Sequence, residues 1–317
     1  MRFAIRTIVV TAAVIGGLRV LFGTVLARPY EKGQAVLSMT LIGEPARLVP
    51  HQAGEMTGPE TGPVLDAIRR RGWIRVCQTP DAMPFAYTNA RGEFIGHDVD
   101  LAHMLAHELD VGVEFVPITR STFESSLHDG VCDIAMSGIP VTTTIARAVL
   151  LSNSYLSETL AFVVPDAERH GFRTWDDVRQ RRSLTVASVD IPYFVDKFKA
   201  MVPNGHVVTV GSVAELFQFE AHGADAALLT AERGSVWTML HPELSVVVPQ
   251  PDPMRVPLAF GIARRDVELA AFVNSWIELK REDGTLDRLY KHWILGTDAV
   301  RRPPRWSILR DVLHWVR

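Results

Sequence analysis

The stretch 71–116 constrains the fold of this 317-residue chain more than any other part of the sequence. The short apolar run Ile74–Cys77 predicts a strand, and a loop with two prolines and the aromatic residue Phe85 follows it. Apolar residues at helical spacing then predict a helix over Asp98–Leu109, and Val111–Val116 predicts a second strand. Because α/β proteins bind small ligands where a strand ends in such a loop, this stretch predicts an α/β domain with a ligand-binding edge.

Several different short motifs follow one another between residues 63 and 296. They are Arg71-Gly72, Arg75-Val76, Pro84-Phe85, Gly92, Gly96, Asp98, Asp100-Leu101, the block Gly130–Thr142, Ser152 with Tyr155, Gly223–Ala227 and Glu278–Trp293. In this order they resemble the bacterial extracellular solute-binding proteins of family 3, which include the polar amino-acid receptors of ABC importers. The resemblance implies an α/β periplasmic-binding-protein clamshell with two lobes and two hinge crossings.

The implied organisation places lobe one at 64–159 and 258–297 and lobe two at 160–257. The apolar run Leu258–Ala263 suits a return strand that is buried on both faces. In such a fold a ligand that contacts both lobes favours the closed state, and a partner then distinguishes closed from open. The implied partners are a small-molecule ligand and a membrane transporter or sensor subunit.

The composition fits a soluble globular chain, since 47% of the residues are hydrophobic and 22% are charged. A formal net charge of −3 gives no electrostatic footprint for nucleic acid. His103 and His107 are four residues apart on the predicted helix, but no zinc signature accompanies them. The sequence therefore predicts no nucleic-acid partner, no cofactor and no metal.

Two cysteines, Cys77 and Cys132, are too few for a disulfide framework or a zinc site. One interpretation is a pair of buried thiols at strand positions. The alternative is a single disulfide, which requires that the chain be exported to an oxidising compartment.

The N-terminal residues 1–27 combine early arginines with an apolar run, Ile8–Leu18, that Arg19 interrupts. Both a cleaved signal peptide and a retained membrane anchor fit this pattern, although an arginine inside the bilayer disfavours the anchor. Residues 28–63 hold many glycines and prolines without a clear period, and we interpret them as a linker. An extracytoplasmic location, with or without an anchor, follows from either alternative.

The C-terminal residues 298–317 predict a basic amphipathic helix after Pro303 and Pro304. Its apolar face carries Trp306, Leu309, Val312, Leu313 and Val316. Such a helix can lie on an anionic bilayer, so both termini are candidates for membrane contact, or it can pack on the domain. The ending Pro304–Ser307 resembles solute-binding domains that are associated with cation:dicarboxylate symporters.

The pocket departs from what the resemblance implies for an α-amino acid. The resemblance implies an arginine that clamps the ligand carboxylate, but Ile145 occupies that position here. The nearest arginine is Arg147. The resemblance also implies an aspartate that binds the ammonium and a second pocket aspartate earlier in the chain. Thr230 and Thr79 occupy these two positions here. The lobe-two loop, usually Gly-Ser-Thr, begins here at Ser188. These departures argue against ordinary α-amino-acid binding.

The remaining candidates for ligand contact come from both lobes. Ser137 and Gly138 offer a hydroxyl and a free backbone N–H, Thr142 can cap a helix, and Arg120 can clamp a carboxylate from another direction. The full set of predicted ligand-binding residues is Asp81, Phe85, Tyr87, Arg120, Ser137, Gly138, Thr142, Arg147, Ser188, Asp190 and Glu232.

The function predicted from the sequence is that of a non-catalytic extracytoplasmic receptor for a small, polar, carboxylate-bearing metabolite. One alternative is a membrane-tethered sensor or accessory domain with a degenerate pocket. Another is a dehydratase-like enzyme on the same fold, with Glu232 or Asp190 as the general acid.

Overall fold

The structure is a computed structural model, and the residues that it describes are Val14, Gly17, 32–51, 62–80, 82–181, 183–189 and 191–297. The predicted tail 298–317 and nearly all of the predicted signal or anchor segment 1–27 lie outside the described residues. So do the candidates Asp81 and Asp190. Within the described part of the chain, no helix has both the length and the apolar character that a membrane crossing requires.

The main sheet has ten strands, and a two-stranded ribbon lies beside it. The strands are β1 Trp73–Gln78, β2 Tyr87–Thr88, β3 Phe94–Ile95, β4 Gly112–Pro117, β5 Ile134–Pro140, β6 Leu150–Leu151, β7 Leu156–Pro165, β8 Thr185–Val189, β9 His206–Val210, β10 Ala226–Thr230, β11 Leu244–Val247 and β12 Arg255–Ile262. The spatial order is β4-β1-β5-β12-β7-β10-β8-β9, with β6 beside β12 and β11 beside β7.

Helices connect the strands of this sheet. In the stretches from residue 32 onward they are α1 Lys32–Leu37, α2 Val64–Arg71, α3 His97–Glu108, α4 Phe123–His128, α5 Thr143–Ala148, α6 Trp175–Gln180, α7 Pro192–Met201, α8 Val213–Leu216, α9 Ala231–Trp237, α10 Val267–Glu282 and α11 Thr285–Trp293. Short 3₁₀ segments lie at Arg120–Thr122, Asp166–Phe172 and Phe219–His222. The predicted helix at Asp98–Leu109 corresponds to α3, and the predicted strand at Val111–Val116 corresponds to β4.

The two largest hydrophobic clusters among the described residues mark the two lobes. The core of lobe one lies between β1, β4, β5, β12 and the helices α3, α10 and α11, with Ile74, Leu101 and Trp293 fully enclosed. The core of lobe two lies around β7, β8 and β10, with Phe162 and Phe198 at its centre. The two-lobed α/β architecture predicted from the motifs is therefore present.

Two antiparallel strands, β7 and β12, carry the chain between the lobes. The first residues of β7 pair with β12, from Leu156↔Leu258 to Thr159↔Arg255. The following residues of β7 pair with β10 of lobe two, from Leu160↔Thr230 onward. β12 then continues along β5 of lobe one. Rotation of one lobe against the other must therefore bend these two strands.

The segment 32–51, which its glycines and prolines indicated to be linker, is packed along lobe one. Polar groups of α3 bind its backbone: Asp100 accepts from the N–H groups of Ile42 and Gly43, and His103 Nδ1 accepts from that of Ala46. Val36 and Met39 enter the lobe-one core. The segment therefore begins with the helix α1 and continues as irregular backbone, which side chains of α3 and the backbone of Val113 hold against lobe one.

Cys77 in β1 and Cys132, which precedes β5, form a disulfide with their Cα atoms 5.6 Å apart. β1 and β5 are adjacent parallel strands, which brings the two residues together although 55 positions separate them in the sequence. Of the two alternatives for the cysteines, the structure has the disulfide, and the pair of buried free thiols is wrong.

Candidate functional site

A cavity of about 180 Å³ lies between the lobes, where β1 and β5 end. Its wall in lobe one runs from Thr79 through Arg120 to the end of β5 and the start of α5, and lobe two closes it with the start of α7. The lining residues are Thr79, Arg120, Phe123, Glu124, Ser137, Gly138, Ile139, Pro140, Thr142, Thr144, Ile145, Ile191, Pro192 and Tyr193. The location is that expected for a ligand in a parallel α/β sheet, beyond the carboxyl ends of strands.

The floor of the cavity is fixed by a buried carboxylate, that of Asp98. Its Oδ2 accepts from the backbone N–H of Gly138 and from the hydroxyl of Tyr155, both at 2.7 Å. Its Oδ1 lies 2.9 Å from His97 Nδ1. The N–H of Gly138, which the sequence suggested to be available for a ligand, is therefore already used. The Ser137 hydroxyl remains at the cavity wall.

Thr142 and Ile145 continue the wall along α5. The Thr142 hydroxyl accepts from the N–H of Ile145 and so caps α5, as its position predicted. Ile145, at the position where the resemblance implied a clamping arginine, turns an apolar side chain to the cavity. Arg147 is exposed and does not belong to the lining; its carbonyl accepts from Arg264 instead. Of the two candidate arginines, only Arg120 lines the cavity.

The two predicted aromatic walls, Phe85 and Tyr87, lie behind the cavity. Phe85 is fully buried beneath Gly138. Tyr87 lies in the lobe-one core, where its hydroxyl donates to the carbonyl of Val36 and its ring meets Trp293 edge-on. Neither ring lines the cavity, because the alternation of β2 and the loop before it directs both inward.

The two described candidates from lobe two, Ser188 and Glu232, form hydrogen bonds away from the cavity. The hydroxyl of Ser188 is fully buried within β8 and donates to the carbonyl of Val189. The Glu232 carboxylate accepts from the N–H of Thr159 at 2.8 Å, and burial raises its pKa above the ordinary value. Neither Ser188 nor Glu232 lines the cavity, and the third candidate from lobe two, Asp190, lies outside the described residues.

The residues that the sequence did not single out are Glu158 and Arg233. Together with Gly138 they border a small void at the inner end of the cleft. Burial raises the pKa of Glu158 to about 7, against the opposing effect of the Arg233 charge. Thr230 Oγ1 donates to the same carboxylate at 2.8 Å. The sequence offered only their positions as a signal. Glu158 lies beside the predicted crossing between the lobes, and Arg233 follows the strand that ends at Thr230.

The family model for bacterial extracellular solute-binding proteins, family 3, matches residues 74–296. A similar sequence is that of a cyclohexadienyl dehydratase from Pseudomonas aeruginosa, 28% identical over 232 residues that cover 73% of this chain and 85% of the relative. A probable amino-acid ABC transporter periplasmic-binding protein from Sinorhizobium fredii is 23% identical over 243 residues, 73% of this chain and 79% of the relative.

Solved structures show the same fold. The ancestral amino acid-binding protein AncCDT-1, a precursor of cyclohexadienyl dehydratase, superposes with a TM-score of 0.65 and 32% sequence identity, over 73% of this chain and 99% of that one. The substrate-binding protein AbpA from Streptococcus pneumoniae, bound to L-arginine, superposes with a TM-score of 0.65 at 22% identity, over 73% and 98% of the two chains. The family match, the two-lobed fold and the cleft together establish that this chain belongs to the bacterial extracellular solute-binding proteins of family 3.

Proposed function

We propose that the protein is a non-catalytic extracytoplasmic receptor that binds a small carboxylate-bearing solute in the inter-lobe cavity and presents it to a membrane transporter. The observation that carries this proposal is the position of the cavity, which has the strand ends of lobe one on one side and the start of α7 on the other. A solute there touches both lobes, so it favours the closed state over the open one.

The chemistry around the cavity favours an anionic group on the solute. Arg120 brings a guanidinium to the wall, and Ser137 and Thr142 bring hydroxyls. The start of α7 adds the partial positive charge of a helix N-terminus, and no side chain among the described residues caps it. The one carboxylate of the described lining, Glu124, is exposed at the mouth.

The cavity also favours an apolar portion on the solute. Ile139, Ile145 and Ile191 face it, and no other cation of the described lining accompanies Arg120. An α-amino acid held between a buried cation and a buried anion does not suit this lining. We therefore propose a carboxylate with an apolar body as the solute class.

The disulfide and the relatives support a location outside the cytoplasm. Structural disulfides persist in oxidising compartments, and a relative from Sinorhizobium fredii is a probable periplasmic-binding protein of an amino-acid ABC transporter. We propose that residues 1–27 act as the export signal or remain as an inner-membrane anchor. The partner in the membrane is then a transporter or, if the pocket is degenerate, a sensor.

Calorimetric titration with a panel of carboxylates and amino acids tests the proposal. Micromolar binding of an apolar carboxylate without turnover supports a receptor, and Arg120→Ala should weaken that binding by more than about tenfold. Arg147→Ala, an exposed arginine outside the lining, is the matched control and should leave the affinity unchanged. If no compound of the panel binds, the result would favour the sensor or accessory domain.

A second candidate function, a dehydratase, is favoured by the similarity to the cyclohexadienyl dehydratase. A general acid for loss of water needs a pKa near the working pH, and Glu158, at the inner end of the cleft, has this property. Incubation with a cyclohexadienyl substrate of that relative should give product if the chain is an enzyme. Loss of product formation in Glu158→Gln, but not in Glu232→Gln, would identify the acid.

A further inference from the structure

The side chain of Arg233 is inserted between the two lobes. It belongs to α9 of lobe two, and only 7% of its surface is exposed. Its Nε lies 3.1 and 3.3 Å from the two carboxylate oxygens of Glu158. Its Nη2 donates at 2.6 Å to the carbonyl oxygen of Gly138 in lobe one. One guanidinium thus contacts the crossing strand β7 and the cavity floor at the same time.

An aromatic face completes the surroundings of this guanidinium. Its Cζ lies 4.7 Å from the ring centroid of Phe85. Gly138 leaves room for the contact, because a Cβ at that position would lie 2.3 Å from Nη2 and 2.6 Å from the Phe85 ring. A carboxylate, a carbonyl oxygen and an aromatic face are the groups by which proteins recognise a guanidinium ligand.

The contacts of Arg233 depend on the lobes being together. Phe85 and Gly138 belong to lobe one, whereas α9 follows β10 of lobe two and also packs its Val236 into the lobe-one core. Separation of the lobes at this end of the cleft removes the hydrogen bond to Gly138 and the contact with Phe85. Arg233 therefore contacts both lobes, as a bound solute does in a clamshell receptor.

We propose that Arg233 is an intramolecular ligand: its guanidinium fills a guanidinium-binding site at the inner end of the cleft and holds the lobes together before any solute arrives. A solute is then confined to the outer cavity beside Arg120. This latch goes beyond the proposed receptor function, because it acts whichever solute binds and also if none does.

Distance measurements between spin labels on the two lobes test the latch. Exposed Ser125 and exposed Asp196 are suitable label sites, because they lie in α4 and α7, two helices that contribute lining residues from opposite lobes. Without solute, Arg233→Ala should widen the distance distribution and move it to longer distances. The control is Arg179→Ala, which removes an exposed arginine of lobe two that pairs with Asp176. Equal distributions in Arg233→Ala and the control would overturn the latch.

Chemical complementation tests the guanidinium site itself. Millimolar methylguanidinium should bind Arg233→Ala in a calorimetric titration and return its label distance to that of the unmodified chain. The unmodified chain and Arg179→Ala should bind methylguanidinium at least about tenfold more weakly, because Arg233 fills the site in both. Equal binding by all three proteins, or binding without a change in distance, would contradict the proposal.

A second variant covers the case in which Arg233→Ala does not fold. Arg233→Met combined with Glu158→Gln removes the guanidinium without leaving a buried carboxylate uncompensated, and such neutral replacements of buried pairs are often tolerated. This variant should also show the wider lobe distance. A closed distance in the folded double variant would overturn the latch, and neither outcome depends on finding the solute.

Discussion

The Asp98 carboxylate lies 2.7 Å from the backbone nitrogen of Gly138, which joins the start of α3 to an irregular position within β5. Gly138 has a φ of +66°, a left-handed conformation that suits glycine. The same carboxylate oxygen accepts from the Tyr155 hydroxyl. The fully buried Asp98 carboxylate thus fixes the backbone of Gly138 at the cavity floor, although Asp98 lies 40 residues earlier in the sequence.

We expect Asp98→Asn to lower the free energy of unfolding by roughly 2–3 kcal/mol, because only one of the two terminal groups of an amide can accept, whereas both carboxylate oxygens of Asp98 have buried polar partners. Urea denaturation followed by circular dichroism measures the change. The matched control is Asp196→Asn, an exposed position at which the loss should stay within about 0.5 kcal/mol. Equal stability of the two variants would show that the buried network around Asp98 contributes little.

The two motif glycines Gly92 and Gly96 should respond differently to alanine. Both have positive φ, but a Cβ at Gly96 would lie 2.2 Å from the carbonyl oxygen of Phe85, whereas a Cβ at Gly92 has no heavy atom within 4 Å. Gly92→Ala should therefore cost about 1 kcal/mol from backbone strain alone. Gly96→Ala should cost more than about 3 kcal/mol, because the loop carrying Phe85 must move. Thermal unfolding of both variants provides the comparison.

The disulfide between Cys77 and Cys132 should contribute substantially to stability. It closes a loop of 55 positions, for which the chain-entropy model gives about 4 kcal/mol. We expect the double variant Cys77→Ala, Cys132→Ala to unfold at correspondingly lower urea concentration. A reductant should lower the stability of the unmodified chain and leave that of the double variant unchanged. A reductant-insensitive unmodified chain would contradict a stabilising disulfide.

The attachment of the segment 32–51 to lobe one should weaken in acid. Burial, together with the nearby charge of His107, lowers the pKa of His103 from 6.5 to about 4. The neutral ring accepts the N–H of Ala46 through Nδ1 and loses this ability when it is protonated. Because the unfolded state binds the proton more tightly, stability is fully present above pH 6.5 and falls as the pH drops toward 4.

His103→Asn keeps an acceptor without a titratable ring, so it isolates this contribution. The difference in unfolding free energy between the unmodified chain and His103→Asn should change by on the order of 3 kcal/mol across that pH range. His128→Asn, which replaces an exposed histidine, should follow the unmodified chain. A parallel pH dependence in all three proteins would exclude His103 as the cause.

The local elements could be predicted because the apolar spacing within each stretch decides them. The helix predicted at Asp98–Leu109 is found at His97–Glu108, and the return strand predicted at Leu258–Ala263 is found at Arg255–Ile262. Both lie in stretches that a sheet or core must bury, so periodicity was sufficient there.

The interior of the site could not be predicted in the same way. Arg233 and Gly138 are 95 positions apart, and nothing near either residue indicates the contact. The composition of 32–51 suggested a linker, but it could not show that Lys32–Leu37 is helical or that Asp100 and His103 bind the backbone that follows. Phe85 and Tyr87 were recognised as aromatic residues near the cleft, but their direction depends on the packing of the loop and of β2.

The claim that the solute binds in the inter-lobe cavity has a direct test in two positions of α5. Ile145 lines the cavity, whereas Arg147 is exposed two residues later and does not. Calorimetric titration of the carboxylate that binds best should show binding abolished in Ile145→Trp, whose ring fills the cavity, and unchanged in Arg147→Trp. Retained affinity in a folded Ile145→Trp would contradict binding in this cavity.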